Sequence, residues 1–368
     1  MPTAWRSILL APNVLGKDGV SALSREMARA LPAPALILSL HDRPVQAQMS
    51  PVGIEVRGAR GSRSAFLLAA LVAARQAGSD TTVACSHLHL SPIAKLLALI
   101  AGRGARLTIV LCGIEAWVPL RFLERWALST SEVAAISRHT VGRFQAANPS
   151  LHSLAVTICY PGLPAASAAA PRHGPSSIAL IVARMSASER YKGHDALLDV
   201  WAKVLERHPD AVLAIAGDGD DRPRLEAKSR ELGIERAVTF IGRIADNALA
   251  GLYARCRFFV MPSRDEGFGL VFLEAMRAAK PCIGGAGAAE EIIEDGVTGF
   301  VVDPVDRDAL LAAMLRLYGD DAACAQLGAA GRARFLAAFT DRHFQARFAR
   351  VIAHDTPPGT TPLAAPVS

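Results

Sequence analysis

The sequence predicts an α/β protein built from two domains. Short apolar runs of strand length alternate with longer segments of helical spacing along nearly the whole chain, which argues for parallel sheets covered on both faces. A stretch rich in Pro, Ala, Gly and Ser, Pro161 to Ser177, interrupts the series and reads as an interdomain linker. The length, 368 residues, is enough for two separate cores.

The first series starts at once. Ser7 to Ala11 is an apolar strand, and the loop from Asn13 to Val20 carries Gly16 and Gly19. Asp18 or Ser21 can cap the helix that follows, which runs to about Leu31. Strand, glycine loop and helix make the phosphate-facing start of an α/β domain, although Gly16 and Gly19 fit no G-x-G-x-x-G spacing and spacing alone favours a simple turn. Ala35 to Leu40 and Ile54 to Val56 read as strands separated by a Pro- and Gln-rich loop. Ser64 is the expected cap of an apolar helix ending near Gln76. Thr82 to Cys85 leads into Ser86-His-Leu-His89, and Pro92 suits the first turn of the next helix. If the strand continued, His87 and His89 would share one face. Leu107 to Leu111 ends in Cys112-Gly-Ile-Glu115, Val133 to Ile136 is capped by Ser137, and Ala155 to Ile158 closes this half.

The second series repeats the plan. Strands are expected at Ile178 to Ala183, Ala211 to Ala216, Val238 to Ile241, Arg257 to Val260, Cys282 to Ile283 and Phe300 to Val302. Helices are expected at Asp195 to Arg207, Pro223 to Leu232 with Gly233 as its stop, Asn247 to Cys256, and through Glu274. Asp306 and Thr340 are candidate caps in the closing helical region, and the Pro- and Thr-rich residues after about His354 read as a disordered tail.

Composition excludes several classes. No apolar run reaches the roughly 18 residues of a membrane span, and the first ten residues lack a signal-peptide pattern, so a cytoplasmic protein is expected. Cys85, Cys112, Cys159, Cys256, Cys282 and Cys324 show no paired spacing and read as buried thiols. Residues 1–165 hold 16 Lys and Arg against 8 Asp and Glu, whereas the remainder holds 24 against 26. The basic first half either meets an anionic membrane surface or acceptor, or reflects the preference for arginine, 34 Arg against 6 Lys. No aromatic interleaving on a basic strand points to nucleic acid.

Three features fall just beyond strand ends of the second half: Arg184 with Lys192, the Gly217 turn, and the segment from Glu266 to Glu274. One parallel sheet would place them on one rim. Two cations beside a helix N-terminus suit a diphosphate, whose charge grows as its bond to a sugar breaks. Spacing alone favours solvated loop cations for Arg184 and Lys192, and a capping carboxylate accounts for Glu266 as well as a ligand contact does. Glu274, two turns into an otherwise apolar helix by this reading, needs a partner, and a sugar hydroxyl pair is one candidate. Asp218-Gly-Asp220 reads as a turn rather than a metal motif. In the first half, His87, His89, Cys112 and Glu115 also lie at strand ends.

Arg184…Lys192-Gly193, Ala216-Gly-Asp-Gly219, Phe240-Ile-Gly-Arg243, Met261-Pro-Ser…Glu266-Gly-Phe-Gly-Leu270…Glu274-Ala275 and Asp295-Gly…Gly299 resemble glycosyltransferase family 4 in order and spacing. The match is dense over residues 178–303 and only in outline over 1–160. The resemblance implies the GT-B fold: two Rossmann-like domains (1–165 on the acceptor side, 166–340 for the nucleotide-sugar donor) facing a cleft, with a helix at 341–353 returning to the first domain and a tail at 354–368. It implies retention of configuration, no metal and no cofactor. Arg184 and Lys192 would hold the donor diphosphate, Glu274 the ribose hydroxyls, and Glu266 would lie near the donor sugar. Backbone from Gly267 through Phe268 and Gly269 to Leu270 would touch sugar or phosphate, with Gly217 nearby and the Gly16/Gly19 loop approaching from the first domain. Glu266, Lys192 and Arg184 are thus the catalytic candidates, and His87, His89, Cys112 and Glu115 the acceptor-side candidates.

Two departures stand out. The strand end before Gly113 often carries a His in that family, and here it is Cys112. The family's Gly-x-Pro-Glu loop is replaced by Ala288-Ala-Glu-Glu291, with Glu291 the nearer equivalent. The expected activity is transfer of a sugar from a nucleoside-diphosphate sugar to a lipid-linked or polysaccharide acceptor in bacterial envelope or exopolysaccharide synthesis, with the protein peripheral on the inner membrane. The alternatives are a sugar-nucleotide epimerase or phosphorylase, or a non-catalytic sugar-nucleotide-binding protein.

Overall fold

The computed structural model describes residues 4–16, 18–43, 47–49, 53–166 and 176–355. The centre of the expected linker and nearly all of the expected tail lie outside the described residues. The chain forms two compact units, one of Met1–Gly162 with Asp341–Ser368 and one of Leu163–Thr340.

In the first unit the strands are β1 (Trp5–Ala11), β2 (Ala35–Ser39), β3 (Ala47–Met49), β4 (Ile54–Gly58), β5 (Ala77–Cys85), β6 (Arg106–Leu111), β7 (Glu132–Ala135) and β8 (Thr157–Ile158). The helices between them are α1 (Gly19–Ala30), α2 (Arg63–Gln76), α3 (Ser91–Ala101), α4 (Phe122–Leu128) and α5 (Arg138–Ala147). The sheet order is β3-β4-β2-β1-β5-β6-β7-β8. It is parallel except at its edge, where β3 pairs antiparallel with β4. Such an edge hairpin was not expected from a polar, Pro-containing segment. Ile8, Leu10, Leu36, Leu38 and Val83 of the sheet pack against Phe66, Ala70, Leu97 and Ala98 of α2 and α3. Each of those large side chains contributes about 1.5–3 kcal/mol by leaving water.

Local chemistry sets the helix starts. Asp18 caps α1 by accepting from the Ser21 amide, and Ser137 caps α5 through Thr140. The cap of α2 is Ser62 rather than Ser64, because the Ser62 side chain reaches the Ala65 amide. His87 and His89 do not continue β5. Leu88–Leu90 turns into a short 3-10 segment that leads into α3, where Pro92 needs no amide donor.

The second unit is a six-stranded parallel sheet. It runs β9 (Ile178–Val182), α6 (His194–Arg207), β10 (Val212–Ala216), α7 (Arg222–Glu231), β11 (Val238–Gly242), α8 (Asp246–Arg255), β12 (Phe258–Met261), α9 (Leu270–Arg277), β13 (Cys282–Gly285), β14 (Gly299–Val302), α10 (Arg307–Gly319) and α11 (Asp321–Ala338). The strand order is β11-β10-β9-β12-β13-β14. The last helix, α12 (Asp341–Ala353), packs on α1 of the first unit.

Both sheets reverse their strand order once, between β1 and β5 and between β9 and β12. Loops at the carboxyl ends of such neighbouring strands diverge and leave room for a ligand. All six cysteines are free, five of them buried. Among the described residues, no helix is long and apolar enough to cross a membrane.

Candidate functional site

At the reversal point of the second unit, the loops after β9 and β12 are stitched together. Gly193 has φ 91°, and a side chain there would lie 2.7 Å from the Pro262 carbonyl oxygen. Only glycine allows this approach, and it draws the segment before it against the loop after β12. The Arg264 amide then donates to the Tyr191 carbonyl at 3.0 Å. Lys192 is thereby placed to donate from Nζ to Glu266 Oε2 at 2.6 Å, with both side chains mostly covered. Arg184, largely exposed, pairs with Glu189. Between the pairs lies Tyr191, with Lys192 Nζ 5.3 Å from its ring. Burial first, and then Glu189 and Glu266, push the Tyr191 hydroxyl up to about 12. Arg184, Lys192 and Glu266 are thus gathered around Tyr191, a residue that sequence reasoning passed over.

Helix α9 opens beside this cluster. Gly269 precedes it at φ 97°, and the space a side chain would need is filled by the Phe272 ring at 2.6 Å. The Phe272 amide donates to the Gly269 carbonyl at 3.0 Å, and the Leu270 and Val271 amides ahead of it lie at the partially positive end of the helix. Glu274 is the fifth residue of α9, just over one turn in, not two. Its partner is a protein group: the buried Tyr253 hydroxyl donates to Oε2 at 2.8 Å. Burial raises the Glu274 carboxyl, while Tyr253 and Arg277 hold it down. Tyr253 was also missed; it sits 21 residues earlier on α8.

Other expected members have different surroundings. The Phe268 side chain is buried, with its ring 6.1 Å from Phe339, which leaves the backbone of this residue as the part a ligand could meet. A side chain on Gly217 would lie 2.0 Å from the Ala183 carbonyl oxygen, and the Gly217 amide donates to Gly242 at 3.0 Å. That glycine therefore serves the packing of strand ends. Asp220 accepts from the Ala187 amide and Asp221 from Arg190 and Arg224, so the acidic turn braces the loop after β9. Glu291 ends a 3-10 turn, and its carbonyl accepts from Arg334.

At the reversal point of the first unit, His87, His89, Cys112 and Glu115 come together. The Cys112 amide donates to Glu115 Oε1 at 2.6 Å, and its thiol donates to the Ser86 carbonyl at 3.0 Å. Burial, then Glu115 and Cys85, keep that thiol protonated, and burial also raises the Glu115 carboxyl. His89 Nδ1 lies 2.9 Å from Glu124 Oε1, and the other Glu124 oxygen accepts from the Arg121 amide at the start of α4. Burial, then His89, lower His87 to about 4, with Glu124 opposing and His41 adding a little, so His87 is neutral at pH 7. The Gly16 loop is braced by two carboxylates, Asp18 of the loop and Asp42 beyond β2. Asp42 takes the Val14 and Leu15 amides, at 2.7 and 3.2 Å, and Asp18 takes that of Ser21. Among the described residues, no group of three or more His, Cys, Asp or Glu is arranged to hold a metal ion.

Fold and site geometry together define a GT-B protein: two Rossmann-like units, the second carrying paired cations and carboxylates at its strand-order reversal. Residues 169–334 match the family described as glycosyl transferases group 1, so this part of the chain carries a domain of that family. The chain is 36% identical over 149 residues to the GDP-mannose-dependent alpha-(1-6)-phosphatidylinositol monomannoside mannosyltransferase of Mycolicibacterium smegmatis, covering 38% of this chain and 39% of the relative. It is 30% identical over 278 residues to the GDP-mannose-dependent monoacylated alpha-(1-6)-phosphatidylinositol monomannoside mannosyltransferase of Corynebacterium glutamicum, covering 71% of this chain and 66% of that one. The chain thus spans from about two fifths to just under two thirds of the length of these relatives. Among solved structures, Anabaena HepE in complex with UDP and glucose superposes with a TM-score of 0.78 at 19% identity, over 95% of this chain and 99% of that one. The sucrose-phosphate synthase of Thermosynechococcus elongatus gives 0.76 at 19% identity, over 95% and 98%. At such identities the likeness is one of fold.

Proposed function

We propose that the protein is a retaining, metal-independent glycosyltransferase that moves a hexosyl group from a nucleoside-diphosphate sugar to a lipid-linked or polysaccharide acceptor. The observation that carries this reading is the Lys192–Glu266 pair at the strand-order reversal of a group 1 domain, beside the start of α9. Lys192, Arg184 and the first-turn amides of α9 bind the diphosphate. The second oxygen of Glu274, opposite the one held by Tyr253, accepts from the ribose hydroxyls. Glu266 meets the donor sugar.

The step breaks the bond from the anomeric carbon to the phosphate oxygen and forms one from the same carbon to the acceptor oxygen. The leaving phosphate gains negative charge, and a fixed cation such as Lys192 stabilises that charge more than it stabilises the bound donor. The acceptor proton passes to the leaving phosphate oxygen, so attack comes from the face the nucleotide leaves. The relatives named above include GDP-mannose-dependent enzymes and a protein bound to UDP and glucose, which makes both nucleotides the first donors to test.

The test is a panel of UDP- and GDP-hexoses with lipid-linked and polysaccharide acceptors, with product anomers read by NMR. Acceptor-dependent release of the nucleoside diphosphate, a retained anomer and full activity in EDTA are expected. An inverted product would overturn the same-face step. Conversion of the donor without acceptor would make the protein an epimerase, and donor binding without turnover on any acceptor would make it a binding protein.

A further inference from the structure

We propose that the outer face of α2, α3 and α4 is a docking surface for an anionic lipid bilayer. These three helices pack side by side, and their inner residues share one core with the sheet of the first unit. Their outer residues are apolar where solvent-facing helix positions are ordinarily polar. Phe122 is 81% exposed, Leu68 63% and Leu99 58%, with Val72, Ile100 and Leu123 also exposed. Scattered apolar residues on a surface need no explanation, but several on adjoining helices of one layer do.

The charges choose the occupant. Neither α2 nor α3 contains an acidic residue. The one carboxylate of α4, Glu124, is buried and engaged by His89 and the Arg121 amide. Exposed arginines frame the apolar face: Arg63 and Arg75 near the two ends of α2, Arg103 just beyond α3, and Arg121 at the start of α4. Apolar side chains framed by guanidinium groups match the boundary between acyl chains and anionic headgroups. A second copy of this chain fits worse, because two such faces meeting about a twofold axis would set arginine against arginine. The helices lie on the bilayer and do not cross it: α2, with 14 residues, is about 21 Å long against a hydrocarbon core of about 30 Å.

This surface stands apart from the donor chemistry, and vesicle binding is read without sugar. The full chain is floated with vesicles of phosphatidylcholine alone or with about 30 mol% phosphatidylglycerol. Binding to the anionic vesicles, weakened at about 0.5 M salt, is expected. Phe122→Glu, and separately Leu68→Ser with Leu99→Ser, should lower the partition coefficient by about tenfold or more. Thermal unfolding and nucleotide-sugar binding should stay as in the parent chain, because these side chains point away from the core. Equal binding by parent and variants, or no binding by the parent, overturns the proposal. So does a concentration-dependent dimer that Phe122→Glu dissociates while vesicle binding is unchanged, which would make the face a contact between copies.

Discussion

The two units use the same architecture and arm it with opposite chemistry. Each sheet reverses its strand order once, and each gathers polar side chains at the carboxyl ends beside the reversal. In the second unit those groups are ions held in pairs, Lys192 with Glu266 and Arg184 with Glu189. In the first, burial keeps His87 neutral and the Cys112 thiol protonated, and it raises the Glu115 carboxyl. Paired ions can change partners when a charged ligand arrives, whereas buried neutral groups offer hydrogen bonds and shape. Under the proposed function, the second unit takes the diphosphate and the first an uncharged hydroxyl-bearing molecule.

The sharpest way to break that comparison is to delete one group from each side. Lys192→Ala should lower turnover of the donor by on the order of 100- to 1000-fold, the usual cost of losing a donor aimed at developing charge. Cys112→Ser should change it by less than about threefold, since a hydroxyl can take over the hydrogen bond to the Ser86 carbonyl. Steady-state kinetics with the donor varied would check both. Comparable losses in the two variants would mean that the thiol takes part in the chemistry and that the division between units is wrong.

A second contrast concerns acid. His194, at the start of α6, is 3% exposed, and burial lowers it to about 4. Its neighbours Asp195 and Asp221 oppose that shift, while Lys192 and Arg224 add to it. An imidazole in the unfolded chain takes up its proton near 6.5, so between pH 6.5 and 4 the unfolded state binds the extra proton and the folded state does not. The stability that neutral His194 supports is complete above pH 6.5 and is lost as pH falls towards 4, on the order of 3 kcal/mol in total. His87 faces the same window in the first unit. Urea unfolding as a function of pH, followed by hydrogen exchange of α6, should show the loss. His194→Gln should flatten it around α6 without changing the behaviour of the first unit.

What the sequence disclosed follows the range of the forces involved. Strands such as β6 and β10 were legible because an apolar run bounded by turn residues is a local pattern. The helix stop at Gly233 and the caps Asp18 and Ser137 were legible for the same reason. Lys192, Gly193, Glu266 and Glu274 stood out by spacing within short segments. By contrast, β3 is three polar-flanked residues that become a strand only by pairing with β4. Glu124 meets His89 across 35 residues, and Tyr253 meets Glu274 from a different helix. No local period marks such tertiary pairs. The conformation of the His87–His89 segment stayed open because a 3-10 turn of three residues leaves no period to see.

The smallest effect tests the finest point, whether Glu274 depends on Tyr253. Tyr253 is 2% exposed, its ring lies 5.8 Å from that of Phe259, and its hydroxyl donates to Glu274 Oε2. Burial and Glu274 both raise that hydroxyl, so it remains a donor throughout the working range of pH. One Glu274 oxygen is thereby fixed. Tyr253→Phe keeps the ring packing and removes only that donor. Such a hydrogen bond contributes about 0.5–1.5 kcal/mol net, so donor KM should rise by about two- to tenfold with kcat within about twofold. The thermal midpoint should move little. A fall in kcat with unchanged KM would place Glu274 in the chemical step rather than in donor binding, and an unchanged KM and kcat would mean that the carboxylate holds its orientation without Tyr253.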